Sequence, residues 1–230
     1  MNLQSKIVVI TGGSKGLGKG LAEAFVKNGS KVIITSTNYS ELEQTAHAIG
    51  ADGCVIDVTS PVETEALAKQ LVDKYGRIDI WINNAGIQIA PSGIEDVSID
   101  KLKKLFYVNY FGYFYGMQSA LRLMKTLDSG TIININSTAG LSGKPGLSAY
   151  VSSKFALKGL TESVREEIKD TNINLYQIFP GGIQTDIYHE EIPEDIDQYM
   201  SIDYAVDKII TNILLEEPDP DYIIRRPSVT

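Results

Sequence analysis

Tyr150 and Lys154 stand four residues apart, and Ser137 lies thirteen residues before the tyrosine, just after the apolar run Thr131-Ile132-Ile133-Asn134-Ile135. A phenol, an ammonium one helical turn away and a hydroxyl at the end of the preceding strand can polarise a carbonyl and protonate it, provided a hydride donor is held nearby. On a helix starting near Ser148 the tyrosine and lysine share a face. An ammonium about 4 Å from the phenol, at an effective dielectric near 20, favours the phenolate by roughly 4 kcal/mol, or about 3 pKa units. A phenol starting near 10 is then expected to titrate at about 7, where a general acid or base is useful. Tyr204 and Lys208 repeat the spacing, but Glu191 stands thirteen before Tyr204 and no apolar strand run precedes it, so that copy reads as an ordinary amphipathic helix.

A site for the donor is legible at the N-terminus. Residues 6–11 (K-I-V-V-I-T) form an apolar, β-branched run that fits a strand buried on both faces. The chain then turns through Gly12-Gly13-Ser14-Lys15-Gly16-Leu17-Gly18 into a helical pattern over residues 19–26, followed by a second strand at 31–35. In such a strand, glycine turn, helix and strand unit, absent side chains let backbone N–H groups and a helix N-terminus approach a pyrophosphate. An acid at the end of the second strand binds a ribose 2′-hydroxyl and points to NAD. Thr35-Ser36-Thr37-Asn38 contains none, whereas hydroxyls, an amide and the nearby Lys15 can bind a 2′-phosphate, so NADP(H) is the expected cofactor with NAD(H) as the other candidate.

The T-G-x-x-x-G-x-G spacing from Thr11 to Gly18, with Asn83-Asn84-Ala85-Gly86 after a later apolar strand, then Ser137, Tyr150, Lys154 and Pro180-Gly181, resembles the short-chain dehydrogenase/reductase family over residues 6–185. The resemblance implies cofactor contacts from Gly12, Ser14, Lys15, Gly16, Leu17, Gly18 and Thr37, and from Asn84, Ala85 and Gly86. It also assigns the adenine to Asp57 with Val58 beside it, the nicotinamide ribose to Tyr150 and Lys154, and the carboxamide to Ile183 and Thr185. By the same resemblance, Asn109 is expected to join Ser137, Tyr150 and Lys154 as a fourth catalytic residue that keeps a water in the proton relay. From the residues alone, Asn109 reads as a buried amide satisfied by backbone. Enoyl reductases of this family place the lysine seven residues after the tyrosine, and Leu157 stands there, so a carbonyl or alcohol substrate is expected. The Lys15 and Thr37 pattern is similar to that of 3-oxoacyl-carrier-protein reductases, from which the shortened C-terminus departs. A nucleotide-sensing regulatory protein on the same fold is the competing reading, against which the Ser137, Tyr150 and Lys154 set argues.

At 230 residues with 43% hydrophobic content, the chain suits one dinucleotide-binding catalytic domain over 1–230. Strand-like runs at 6–11, 31–35, 53–57, 78–83, 131–136 and 172–179 alternate with helical patterns such as 62–75 and 148–169. This predicts an α/β fold of Rossmann type, a doubly wound parallel sheet with helices on both faces. A net charge of −8 and a pI near 4.8 argue against nucleic acid or an anionic membrane as partner. The single cysteine, Cys54, is expected in a buried strand and suits a reducing cytoplasm. With no signal peptide or spanning stretch, a cytoplasmic location is expected. His47 and His189 are isolated, so no metal site is expected.

Residues 186–201 are acidic and carry Pro193, and they read as a loop covering the substrate, ahead of a last helix at 203–216 and an edge strand at 221–227. The aromatic stretch 105–115 is apolar around more of a helix than one packed face requires. It predicts a homodimer or homotetramer formed through this helix and the Tyr150 helix.

Overall fold

The structure, a computed structural model, describes residues 2–188 and 190–226. The apolar runs become seven strands: β1 Ile7–Ile10, β2 Lys31–Ser36, β3 Asp52–Val55, β4 Ile80–Asn83, β5 Gly130–Ile135, β6 Ile173–Pro180 and β7 Asp221–Ile224. They lie in the order β3-β2-β1-β4-β5-β6-β7, every neighbouring pair parallel. Parallel neighbours need crossovers, which are supplied by α1 Gly16–Lys27, α2 Tyr39–Ile49, α3 Pro61–Tyr75, α4 Ile99–Phe106, α5 Gly112–Leu127, α6 Ser148–Glu167 and α7 Ile202–Leu214. Asn38, Ser60, Ser98 and Ser201 start α2, α3, α4 and α7, each side chain accepting from the N–H three residues on.

Alternation along the central strands feeds two cores. Val8, Ile10, Val32, Ile34, Ile82 and Ile133 pack with Leu21 and Phe25 of α1 and Ile209 and Ile213 of α7. Ile7, Val9, Ile33, Trp81 and Ile132 pack with Leu67 and Leu71 of α3 and Met117 and Met124 of α5. The sheet is therefore doubly wound, with its order reversing between β1 and β4. The crevice where ligands bind in such sheets opens at the carboxyl ends of those two strands.

Three expectations change. β3 is an edge strand with alternating half-buried and exposed residues, so Cys54 is half-buried rather than central, and Asp57 lies beyond the strand's end. The pattern at 148–169 ends as helix at Glu167. Residues 105–115 are not one regular helix: a π-helical turn, Tyr107–Phe111, joins α4 to α5. The segment's excess apolarity divides accordingly. Tyr113 is core, while Tyr107, Phe111 and Phe114 stay exposed. Tyr107 and Phe111 lie 5.4 Å apart by ring centroids, and Phe111 and Tyr115 lie 6.2 Å apart. His189 and Pro227 lie outside the described residues.

A buried polar chain ties the strands that carry the site. Trp81 Nε1 donates to Asn83 Oδ1 (2.8 Å), Asn83 Nδ2 to Asn134 Oδ1 (2.8 Å) and Asn134 Nδ2 to Thr161 Oγ1 of α6 (2.9 Å). A Cβ on Gly116 would overlap Asn83 Oδ1, so α5 approaches this chain only through a glycine. Replacing Asn83 with Ala orphans an indole N–H and an amide oxygen, and we expect a loss of roughly 2–4 kcal/mol in urea unfolding at unchanged slope. A loss under about 0.5 kcal/mol, the range of neutral surface changes, would show that the chain does not couple these strands.

Candidate active site

The turn after β1 is shaped by close backbone packing. Gly12 has φ +63, and a Cβ there would sit 2.9 Å from Ala85 Cα; one on Gly18 would overlap Gly12 O and Asn84 Nδ2. Asn84 fastens this arrangement, its Nδ2 donating to Thr11 O (2.9 Å) and Gly12 O (3.1 Å). Thr11 Oγ1 accepts from the N–H groups of Asn84 (2.9 Å) and Ala85 (3.1 Å). Thr11 therefore locks the β1 and β4 ends together, a role the sequence reading did not assign. In the sequence it stands as the last residue of the strand run and the first of the glycine motif, neither of which reports this bonding.

Lys15 is the N-cap residue of α1 and makes no side-chain capping bond, which leaves the helix's first N–H groups to an anion. A Cβ built on Gly16 (φ +55) would meet Thr185 at 3.5 Å, an ordinary contact, so it is the positive φ that suits glycine there. Thr35 Oγ1, on a residue lining the same cavity, is buried without a partner. A backbone cradle, an uncapped helix start and an orphaned hydroxyl fit a dinucleotide.

The cavity measures about 860 Å³ and runs from this loop, past Thr37, Asp57 and Val58, to Ser137, Tyr150, Lys154 and Ile183. Asp57 Oδ1 accepts from Thr59 N and Oγ1, both at 2.8 Å, so the acid also holds its own turn. Ser14 lines the cavity at 4% exposure, yet its hydroxyl donates to Glu41 Oε2 at 2.7 Å. Glu41 escaped the sequence reading because it follows the strand end by one helical turn.

At the far end, Ser137 follows β5 and caps a short turn, its Oγ accepting from Ala139 N (3.1 Å), and its hydroxyl is near enough to the Tyr150 phenol to pull that group's pKa down. Tyr150 and Lys154 lie on α6, 8% and 3% exposed. Lys154 Nζ donates to Ile135 O (3.2 Å) and sits 5.8 Å from the Tyr150 ring centre and 5.0 Å from that of Tyr113. Tyr113, also unassigned from sequence, donates its hydroxyl to the same carbonyl at 2.8 Å. Asn109 is fully buried in the π-helical turn, and its side-chain amide is occupied by Ile87: Oδ1 accepts from Ile87 N (2.9 Å) and Nδ2 donates to Ile87 O (2.8 Å). Its side chain thus behaves as a satisfied buried amide; the irregular backbone around it was invisible in the sequence.

Ile183 is not at the root of a free flap. Gln184 N donates to Met200 O (2.9 Å) and Met200 N to Gly182 O (3.0 Å), pinning the far end of the 186–201 segment to the Pro180-Gly181-Gly182 turn. Tyr188 and Tyr199 from this segment line the cavity edge to face, 5.6 Å apart, with Arg226 over the Tyr199 ring at 4.6 Å. Glu190 Oε2 accepts from Ala90 N (3.1 Å) and from Lys101 Nζ of α4 (2.8 Å).

The expected titration of Tyr150 near 7 is reversed. Burial pushes the phenol up to about 12, against a lowering by Ser137, and burial brings the Lys154 ammonium down to about 7. Desolvation of both groups outweighs the pair's Coulomb attraction, and the ammonium hydrogen-bonds the Ile135 carbonyl instead of the phenol. Between about pH 7 and 10.5 the unfolded chain keeps a lysine proton that the folded protein releases, so this group makes stability rise with pH in that window; below it the penalty is constant. We expect wild-type stability, relative to Lys154→Met, to improve from about pH 7 to 9 in denaturant titrations. Parallel curves for the two proteins would contradict the depressed lysine.

Comparison with known proteins places the chain. The family model described as short chain dehydrogenase matches residues 6–196. An uncharacterized oxidoreductase of Staphylococcus saprophyticus is 33% identical, across 99% of this chain and 98% of that relative. The 3-oxoacyl-[acyl-carrier-protein] reductase FabG of Vibrio cholerae is 32% identical, across 81% of this chain and 77% of its own. The crystal structure of a short-chain dehydrogenase from Streptomyces avermitilis superposes with a TM-score of 0.86 at 26% identity, covering 98% of this chain and 89% of that one. On the match of that model from β1 through the cavity's far wall, the chain belongs to the short-chain dehydrogenase/reductase family of NAD(P)-dependent oxidoreductases acting on CH–OH and C=O groups.

Proposed function

We propose that this protein reduces a small-molecule ketone, or oxidises the matching secondary alcohol, with NADP(H) as preferred cofactor and Tyr150 as the proton donor and acceptor. The observation that carries this reading is that one cavity joins the glycine loop to the Ser137 and Tyr150 hydroxyls and to the buried Lys154. The nicotinamide supplies or accepts the hydride. The chain's own residues do the rest. A phenol held protonated by burial is ready to give its proton to a carbonyl oxygen, while Ser137 donates a hydrogen bond to that oxygen. Burial brings the Lys154 ammonium down to about 7; a bound anionic dinucleotide would hold it protonated, and that charge would lower the phenol so that the proton can leave.

The 2′-phosphate preference is supported by the neutral donors of Ser36, Thr37 and Asn38 around the cavity and by the exposed ammonium of Lys15. The 186–201 segment covers the substrate in this reading: Asp186, Tyr188, Pro193 and Tyr199 line the cavity, and Glu190 latches the segment to Ala90 and Lys101. The exposed aromatic ladder from Tyr107 to Phe114, with Phe155 of α6, forms the contact of a homodimer or homotetramer.

In assays following NADPH absorbance with a ketone panel, Tyr150→Phe should lower kcat by at least about 100-fold and leave NADPH affinity nearly intact. Tyr204→Phe is the internal control, since Tyr204 stacks with Lys208 on α7 away from the cavity lining, and its rate should change by little. Loss of activity in the Tyr204 variant with retention in the Tyr150 variant would overturn the assignment. Fluorescence titration should give tighter NADPH than NADH binding, reversed by Ser36→Asp; equal or tighter NADH binding by the unmodified protein would sink the cofactor assignment. Light scattering at micromolar concentration should report a dimer or tetramer, and a monodisperse monomer would count against the aromatic contact.

A further inference from the structure

The adenosine end of the cavity holds a carboxylate outside the strand-end stretch where one is sought. Glu41 is the third residue of α2. Its backbone N–H is satisfied by Asn38 Oδ1 at 3.2 Å, so its side chain is not needed for that bond. Instead Oε2 takes the Ser14 hydroxyl at 2.7 Å, joining α2 to the glycine loop beside Lys15, Ser36, Thr37 and Asn38, all of which line the cavity. The loop has a second tether, Thr45 Oγ1 to Ser14 O at 2.8 Å, which does not involve Glu41.

The charge makes this contact selective. A ribose 2′-hydroxyl can donate to a carboxylate, whereas a 2′-phosphate brings further negative charge and no proton that Glu41 can use at neutral pH. A phosphate entering between Lys15 and Thr37 also competes with Glu41 for the Ser14 hydroxyl. We propose that Glu41 is a specificity residue that weakens 2′-phosphate binding, opposing Lys15, and so sets how wide the margin between the two nicotinamide cofactors is. The proposal rests on reading the cavity as a dinucleotide site, and it concerns the size of the preference rather than its direction.

Two fragments isolate the effect: 5′-AMP and 2′,5′-ADP differ only in the 2′-phosphate. Glu41→Gln keeps the side chain's shape and an oxygen that accepts from Ser14 while removing the charge. By titration calorimetry at low salt, the variant should bind 2′,5′-ADP more tightly relative to 5′-AMP by about tenfold, equivalent to about 1.4 kcal/mol. The gain should shrink as salt is raised. An unchanged ratio, or equal weakening of both fragments, would reduce Glu41 to a loop tether and overturn the inference. If neither protein binds either fragment, the dinucleotide reading itself falls and the inference with it. Tighter NADH than NADPH binding by the unmodified protein would defeat only the cofactor preference proposed above.

Discussion

The cavity's chemistry depends on a lysine ammonium taken out of water. Lys154 is 3% exposed, beneath the Tyr150 and Tyr113 rings, and its hydrogen bond to a protein acceptor goes to the Ile135 carbonyl. Burial lowers its proton affinity and raises that of Tyr150 beside it. Burial therefore favours a neutral phenol over a phenolate, and an anion in the cavity would favour the charged lysine. In the reaction proposed above, loading the cavity would arm the site, because the proposed proton-moving groups would change state as it fills.

Positioning follows from the parallel sheet. The glycine loop, the Asn84-Ala85-Gly86 stretch, Ser137 and the Pro180-Gly181-Gly182 turn all follow carboxyl ends of strands, which parallel pairing gathers on one edge. The residues that keep these ends in register are mostly not those that line the cavity. Thr11 clasps the β4 end, and the chain from Trp81 to Thr161 ties β4 and β5 to α6. Asn136 Nδ2 bonds both Lys154 O (3.2 Å) and Gln177 Oε1 (2.9 Å), so the helix bearing the lysine is tied to β5 and β6.

Strand identities were legible because interior strands such as β1 and β5 must be apolar on both faces, a pattern that survives without tertiary knowledge. Cys54 misled for the complementary reason: its apolar neighbours resemble a central strand, but nothing in them says that β3 lies at the edge. The Tyr150 and Lys154 pair was legible as two residues on one helical face, and its protonation was not. Desolvation depends on burial by residues from other elements, such as Tyr113 and Ile135 around Lys154, which a local spacing does not report. Glu41 was hidden because the search for an acid ended at Asn38, whereas a long side chain one turn into α2 reaches the glycine loop. The π-helical turn at Asn109 has no periodicity that distinguishes it from the helices on either side.

The central claim is that burial holds Tyr150 protonated until the cavity is loaded. It is tested most directly by NMR titration of ring-labelled tyrosine, with Tyr150 identified by its loss in the phenylalanine variant. The account predicts that in the empty protein Tyr150 stays protonated through about pH 10, the ordinary tyrosine value, and ionises at lower pH once NADP is bound. A phenolate at neutral pH in the empty protein, or a titration unmoved by NADP, would contradict it.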